Sequence, residues 1–500
     1  MINAVGRDIP AQLPGRAPFA GAGGKAGRAS GQQKLLASIG DTLDACGLAD
    51  GGTVSFHHHL RNGDHLLNLV LAEIARRGLR DIHVAASSLF PVHAPLVEHI
   101  RAGVVGRISA TYISGAVGEA IARGELSEPV RMLTHGGRAR AIMAGELPID
   151  VAFVAAPTAD CCGNINGTNG RSACGTLGYA LVDVRHARHV VAVTDHLVPH
   201  PASPAQITQD FVDYVVEVDS IGDAAGIVSG TTRATSDPVG LEIARTAAQV
   251  IEASGLLKDG LSFQTGAGGI SLAVAAALRE LMVARGITGS FASGGITSYL
   301  VGMLEQGLFR TLLDVQCFDL AAVDSFRRNA AHMEMSASLY ANPATRGPVV
   351  DQLDVVILGA AEIDTDFNVN VTTGTNGVIL GGSGGHADTA AGAKLAIVTT
   401  KLNAGGFAKV VDRVGVVTTP GETIDVLVTE AGVAVNPLRA ELAQRLRAAG
   451  LPVVPVEALR DIAAGQATKP PAEVSSRGRV VAFVEYCDGT VIDVVRAVQG

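Results

Sequence analysis

DVAFVAAPTADCCGNIN (residues 150–166) lies over DVVILGAAEIDTDFNVN (354–370) with six of 17 positions identical, at an offset of 204 residues. Each stretch opens on a β-branched apolar run and closes on a polar, Asn-rich turn. Landmarks outside the pair repeat at nearly the same distance. VSF (54–56) and LSF (261–263) differ by 207, and Gly103 and Gly307 by 204. Internal self-similarity on this scale predicts one structural unit built twice.

Around each copy, apolar strands alternate with amphipathic helices. TVSF (53–56), DIHVAA (81–86), DVAFVAA (150–156) and VVAVT (190–194) read as strands, and HLLNLVLAEIARRG (65–78) as a helix ending at Gly78. Near-continuous apolar strands between helices predict parallel sheets covered on both faces. The fold class is therefore α/β, with two tandem related open α/β domains over 34–240 and 241–500. Residues 1–33, Gly/Pro/Arg-rich and aperiodic, read as an extended arm. From about 411 onward the strands VGVVTT (414–419), IDVLVTE (424–430) and VVAFVEY (480–486) read as an extension completing the second domain. A helix there is signalled by Asn436, Pro437, the stripe Leu438/Leu442/Leu446 and Gly450, and Asp488-Gly489 signals a hairpin.

Composition narrows the function. Of 500 residues, 47% are hydrophobic and 17% charged, which is globular. A net charge of −9 without a Lys/Arg run argues against nucleic acid as a partner. No apolar run reaches the ~18–20 residues that span a bilayer. The six Cys show no CxxC spacing, so they read as reduced, mostly buried thiols of a cytoplasmic protein, with no metal site. The 60 Gly imply many places where backbone turns tightly or lies against a ligand.

Five segments could carry chemistry. Glu362 stands at a strand end where the first copy has Thr158, so one copy holds an ionisable group that the other lacks. A carboxylate there serves as nucleophile or base, or is simply a surface Glu. GGSGGHADTAAGA (381–393) places Gly381, Gly382, Gly384, Gly385 and His386 ahead of a helix, where amides can meet an anion or oxyanion. FQTGAGGISLAV (263–274), with Gly266, Gly268 and Gly269, is a similar junction that matches neither a dinucleotide fingerprint nor a P-loop. In SFHHHLRNGDH (55–65), His57, His58 and His59 cannot all face one metal from a strand. With Arg61 they form a candidate cationic cluster for carboxylates. Asn164 and Asn166, with their counterparts Asn368 and Asn370, are candidate crevice residues or ordinary turn formers.

The combined motifs resemble the α subunit family of bacterial citrate lyase, within the CoA-transferases. They include NAVGRDIP and PFAGA near the start, SFHHHLRNGD, PTADCCGNINGTNG, SFQTGAGG, AAEIDTDFNVNV, GGSGGHADTAAGAKL and YCDGTVIDVVRAV. The resemblance implies transfer of a carrier thiol from acetyl to citrate. It implies a β subunit and a small acyl-carrier (γ) subunit as partners, with a phosphoribosyl-dephospho-CoA arm for which acetyl-CoA is a surrogate. No tightly bound cofactor is implied. Glu362 aligns with the glutamate that forms a covalent thioester in other CoA-transferases, although this branch is thought to react in a ternary complex. Glu362 is thus nucleophile, base or electrostatic relic. Another CoA-transferase or thioester hydrolase, and a small-anion-binding scaffold, are the alternative functions.

Overall fold

The computed structural model describes residues 34–228, 233–266, 268–470 and 478–498. The expected arm, 1–33, lies outside them.

Two large sheets carry the fold, and their strand orders correspond. The first runs Leu35–Leu36, Tyr214–Glu217, His189–Thr194, Val151–Ala156, Thr53–Phe56, Ile82–Ala86, Val105–Ala110, Val130–Met132, Val480–Glu485, Val491–Arg496. The second, read in the same sense, runs Gly432–Val435, Val426–Thr429, Leu395–Thr399, Val355–Gly359, Ser262–Thr265, Gly289–Ile296, Phe309–Cys317, His332–Glu334. All pairings are parallel except the final strand at one end of each sheet. All six residues of Val151–Ala156 are buried, the pattern of a strand covered on both faces. Helix Leu66–Arg76 buries Leu66, Leu67, Val70, Leu71 and Ile74, the i, i+4 stripe that turns its apolar face to the sheet.

The duplication extends to the turns. Thr158–Asp160 pairs antiparallel with Ile165–Asn166, Thr158 opposite Asn166. Glu362–Asp364 pairs antiparallel with Val369–Asn370, Glu362 opposite Asn370, in the same register. Gly103 and Gly307 both follow helix ends at φ 70° and 72°, a left-handed stop that costs glycine little.

The C-terminal segment departs from expectation in three places. Residues 426–435 join the second sheet, but the hairpin Val480–Glu485/Val491–Arg496 pairs parallel with Val130–Met132 and extends the first. VGVVTT (414–419) is irregular rather than a strand, because its polar groups are spent elsewhere. Gly415 N donates to Glu362 Oε2, and Thr418 N and Thr419 N donate to Val369 O. Leu442 and Leu446 are buried, but Leu438 is 71% exposed, because the chain makes a 3-10 turn over 437–439 before helix Ala440–Ala448 begins.

The sheets meet across polar contacts. Asp388 accepts hydrogen bonds from Thr134 Oγ1 (2.6 Å) and Gly136 N (2.9 Å), and Glu334 accepts from Gln206 Nε2 (2.7 Å). Burial raises both carboxyls to about 7. Their unfolded values lie near 4, so the folded protein holds extra protons between about pH 4 and 7, and stability falls as pH rises through that window. A thermal-unfolding series should show the melting temperature dropping between about pH 4 and 7, with a shallower drop in Asp388→Asn.

Candidate active site

The strands Thr53–Phe56 and Ser262–Thr265 end in the loops bearing His57–Arg61 and Gly266–Gly269, and these open toward one another. The crevice beyond such carboxyl ends is where ligands bind in open α/β sheets. A cavity of about 630 Å³ lies there, lined from both domains. Its wall contains His58, Arg61, Gly266, Gly268, Gly382, Gly384, Gly385 and His386 among the expected residues.

The three histidines separate in the loop that follows the strand. His58 faces the cavity, with Nδ1 2.6 Å from Ser87 Oγ. His57 points into the first domain, its Nε2 2.9 Å from Asp183, which Arg138 also holds through both guanidinium nitrogens. His59 stacks on His57, ring centroids 5.8 Å apart, away from the cavity wall. Asn164 and Asn368 each donate to the Asp four residues earlier, at 2.8 and 3.2 Å. Asn166 Oδ1 caps Thr168 N and Asn169 N. These residues shape duplicated turns and do not reach the cavity. Gly269 opens the helix Gly269–Arg285, and Gly381 accepts from Ile113 N across the domains.

The expected cationic cluster is corrected by burial. Desolvation, reinforced by neighbouring cations, pushes His58 well below its usual range and His135 to about 3. Desolvation alone takes His386 to about 4. All three are neutral at pH 7. His386 Nε2 lies 2.9 Å from Gly359 O, which only accepts, so that nitrogen carries the proton and Nδ1 accepts from Thr419 Oγ1 at 2.7 Å. The charge in the cavity comes from Arg61, lowered by burial only to about 10, and from Lys409. Arg61 is sandwiched between Phe90 and Phe318, its Cζ 4.9 and 4.7 Å from the ring centroids. Its backbone is left-handed, at φ 52°. A non-glycine residue held there marks local strain of a kind found at ligand clamps.

The Gly-rich loop 381–385 threads between the domains. Gly384 N donates to Thr111 O, and His135 N to Gly384 O. A Cβ on Gly382 would sit 2.4 Å from Thr111 O, so only glycine lets the strand pass. Gly382→Ala should cost about 1–3 kcal/mol and lower the melting temperature by several degrees, with the transferase rate falling as the loop shifts. Calorimetry with a parallel rate assay would check both, and an unperturbed variant would contradict the contact.

Glu362 is 4% exposed and lies on the wall of a second cavity, of about 1000 Å³. Its Oε2 accepts from Asn370 Nδ2 (3.0 Å) and Gly415 N (3.2 Å). In the first copy, Thr158 leaves Asn166 Nδ2 buried without a hydrogen-bond partner, the trace of a site whose acid is missing. Both cavities are walled by Gly374, Thr375 and Phe407, so Glu362 and the cavity of Arg61 are neighbours across a shared partition.

The sequence reading missed several lining groups. Tyr112, Tyr179, Tyr340, Gln264, His135 and Lys409 all line the first cavity. His135 carries a visible signal, a Thr134 N-cap and Gly136-Gly137 at a strand-to-helix junction, and Gln264 lies within the FQTGAGGISLAV segment.

The model of the citrate lyase alpha subunit family matches residues 32–498. This chain belongs to that family. It is 50% identical to the citrate lyase alpha chain of Escherichia coli K12 over 467 residues, 93% of this chain and 91% of that one. A solved structure of a citrate lyase alpha subunit from Streptococcus mutans, in complex with citrate, superposes with a TM-score of 0.92 at 47% identity, covering 94% of this chain and 92% of that one. The Pseudomonas malonate decarboxylase hetero-tetramer matches at TM-score 0.65 and 18% identity, over 88% of this chain and 89% of that one, and shares the fold. The chain is a citrate CoA-transferase, the component of citrate lyase that exchanges acetyl for citryl. It works within the multi-subunit citrate lyase complex, with citrate as substrate. No helix among the described residues is long and apolar enough to cross a membrane.

Proposed function

We propose that citrate occupies the 630 Å³ cavity with Arg61 and Lys409 on its carboxylates, and that the acyl-carrier arm enters the cavity of Glu362. The observation that carries this is the meeting of the two chambers at one wall, cations on one side and a held carboxylate on the other. The partners are a β subunit that cleaves the citryl thioester and a γ carrier whose phosphoribosyl-dephospho-CoA arm supplies the thiol. Six free cysteines suit a reducing compartment, and we place the enzyme in the cytoplasm.

The chemistry needs no net proton transfer. A citrate carboxylate oxygen attacks the acetyl carbonyl carbon, the C–S bond breaks, and an acetyl–citryl anhydride and a thiolate result. The thiolate then attacks the citryl carbonyl, the C–O bond to acetate breaks, and citryl thioester and acetate leave. Both tetrahedral oxyanions need donors, which the backbone N–H groups of Gly382, Ser383 and Gly385 and the ammonium of Lys409 supply. Glu362 is the carboxylate beside the departing thiolate. Its charge favours the protonated form of Lys409, whose ammonium stabilises the oxyanions and the departing thiolate. It also draws Lys409 to the seam, opposing the burial that lowers the lysine's pKa.

The purified chain with acetyl-CoA and citrate should release acetate and form citryl-CoA, followed by mass spectrometry. Absence of citrate-dependent acetate release, with acetyl-CoA and with acetylated carrier, would sink the assignment.

A further inference from the structure

The second cavity has a polarity of its own. At its inner wall stands the buried carboxylate of Glu362. Around it come four basic side chains from three separate parts of the chain: Arg413 from the irregular 412–419 segment, Arg460 and Lys469 from the second domain's last helix and the turn after it, and Arg496 from the hairpin that belongs to the first sheet. Arg413 and Lys469 are exposed, while Arg460 and Arg496 are half-buried. Arg460 is committed to Asp412 and Asp461. Lys469 rests its Nζ 5.3 Å from the centroid of Phe407, the ring that also walls the citrate cavity. Of the acids on the wall besides Glu362, Asp412 is the partner of Arg460, and Asp493 accepts from Val417 N and Val494 N.

A chamber with exposed cations and a buried carboxylate beside a substrate cavity fits a ligand anionic at one end and reactive at the other. Arg and Lys on a solvated rim recognise phosphate oxygens. We infer that Arg413, Lys469 and Arg496 form the phosphate-binding subsite for the thiol-bearing arm of the carrier, holding its diphosphate while the thioester reaches the partition by Glu362. The inference rests on the transferase reading above and adds the part of the chain that holds the arm. It also makes the site bipartite: Arg496 is in place only when the C-terminal hairpin is docked on the first sheet.

The double variant Arg413→Gln/Lys469→Gln changes only exposed side chains. Its kcat/KM for acetyl-CoA should fall about tenfold or more and lose much of its salt dependence. With S-acetyl-N-acetylcysteamine, which has no phosphate, kcat/KM should match the unmodified enzyme, and the KM for citrate should not move. The loss should recur with acetylated carrier. CoA binding followed by calorimetry should weaken by a similar factor, which reads the subsite without turnover. Equal losses with both small thioesters, a loss with free acetyl-CoA that the carrier does not share, or unchanged CoA binding would overturn the proposal. An unmodified enzyme that binds CoA through these residues yet releases no acetate would sink the transferase reading alone.

Discussion

Glu362→Gln lowers the transferase rate by roughly a hundredfold or more while leaving the fold intact. Gln keeps the shape, and its carbonyl oxygen still accepts the bonds that Asn370 Nδ2 and Gly415 N make to Oε2. What is lost is the charge, on a group 4% exposed in a chamber where water screens little. The loss should appear in kcat, because the proposed citrate site lies across the partition from Glu362. Hydroxylamine added during turnover distinguishes the role of the carboxylate. With citrate as the attacking group, no hydroxamate forms on Glu362, whereas a hydroxamate at that residue would make it a nucleophile. A variant that keeps the full rate would remove it from the mechanism.

Arg61→Met raises the citrate KM by about a hundredfold, and Arg61→Lys recovers only part of the loss. A planar guanidinium between Phe90 and Phe318 is held by both ring faces and presents a fork to a carboxylate, which an ammonium cannot reproduce. Removing a buried charge that pairs with substrate costs on the order of 2–5 kcal/mol. Because His58, His135 and His386 are neutral at pH 7, protonating them does not compensate between about pH 6 and 8. Steady-state kinetics over that range would test this. A Met variant with an unchanged citrate KM would move citrate elsewhere.

Much of this architecture was legible because the chain contains its own comparison. The overlay of 150–166 on 354–370 identified the repeat, and the Thr158/Glu362 difference singled out a strand-end residue whose chemistry changed between copies. The same overlay misled about the asparagines. Asn164, Asn166 and Asn368 recur because both copies need the same turn, and only Asn370 touches a functional group. The histidines show a different limit. His57, His58 and His59 are equal in sequence, but in the loop after the strand only His58 reaches the cavity wall, and burial removes the charge of His58 and His59. Lys409 and Tyr179 had no local signal, since each reaches the cavity only through the packing of distant segments. The final hairpin reads correctly as a hairpin, but sequence order does not say which sheet it joins.

That hairpin bears on how the chain is made. Val130–Met132 is emitted early by the ribosome, yet its neighbour Val480–Glu485 emerges only after the entire second sheet. Until then the nascent first domain presents an open strand edge to solvent, a surface prone to pairing with other chains. Closing it joins contacts more than 300 residues apart, a late and slow step of high contact order. A nascent chain stalled before residue 480 should therefore bind holdase chaperones strongly and let go once the last strands arrive.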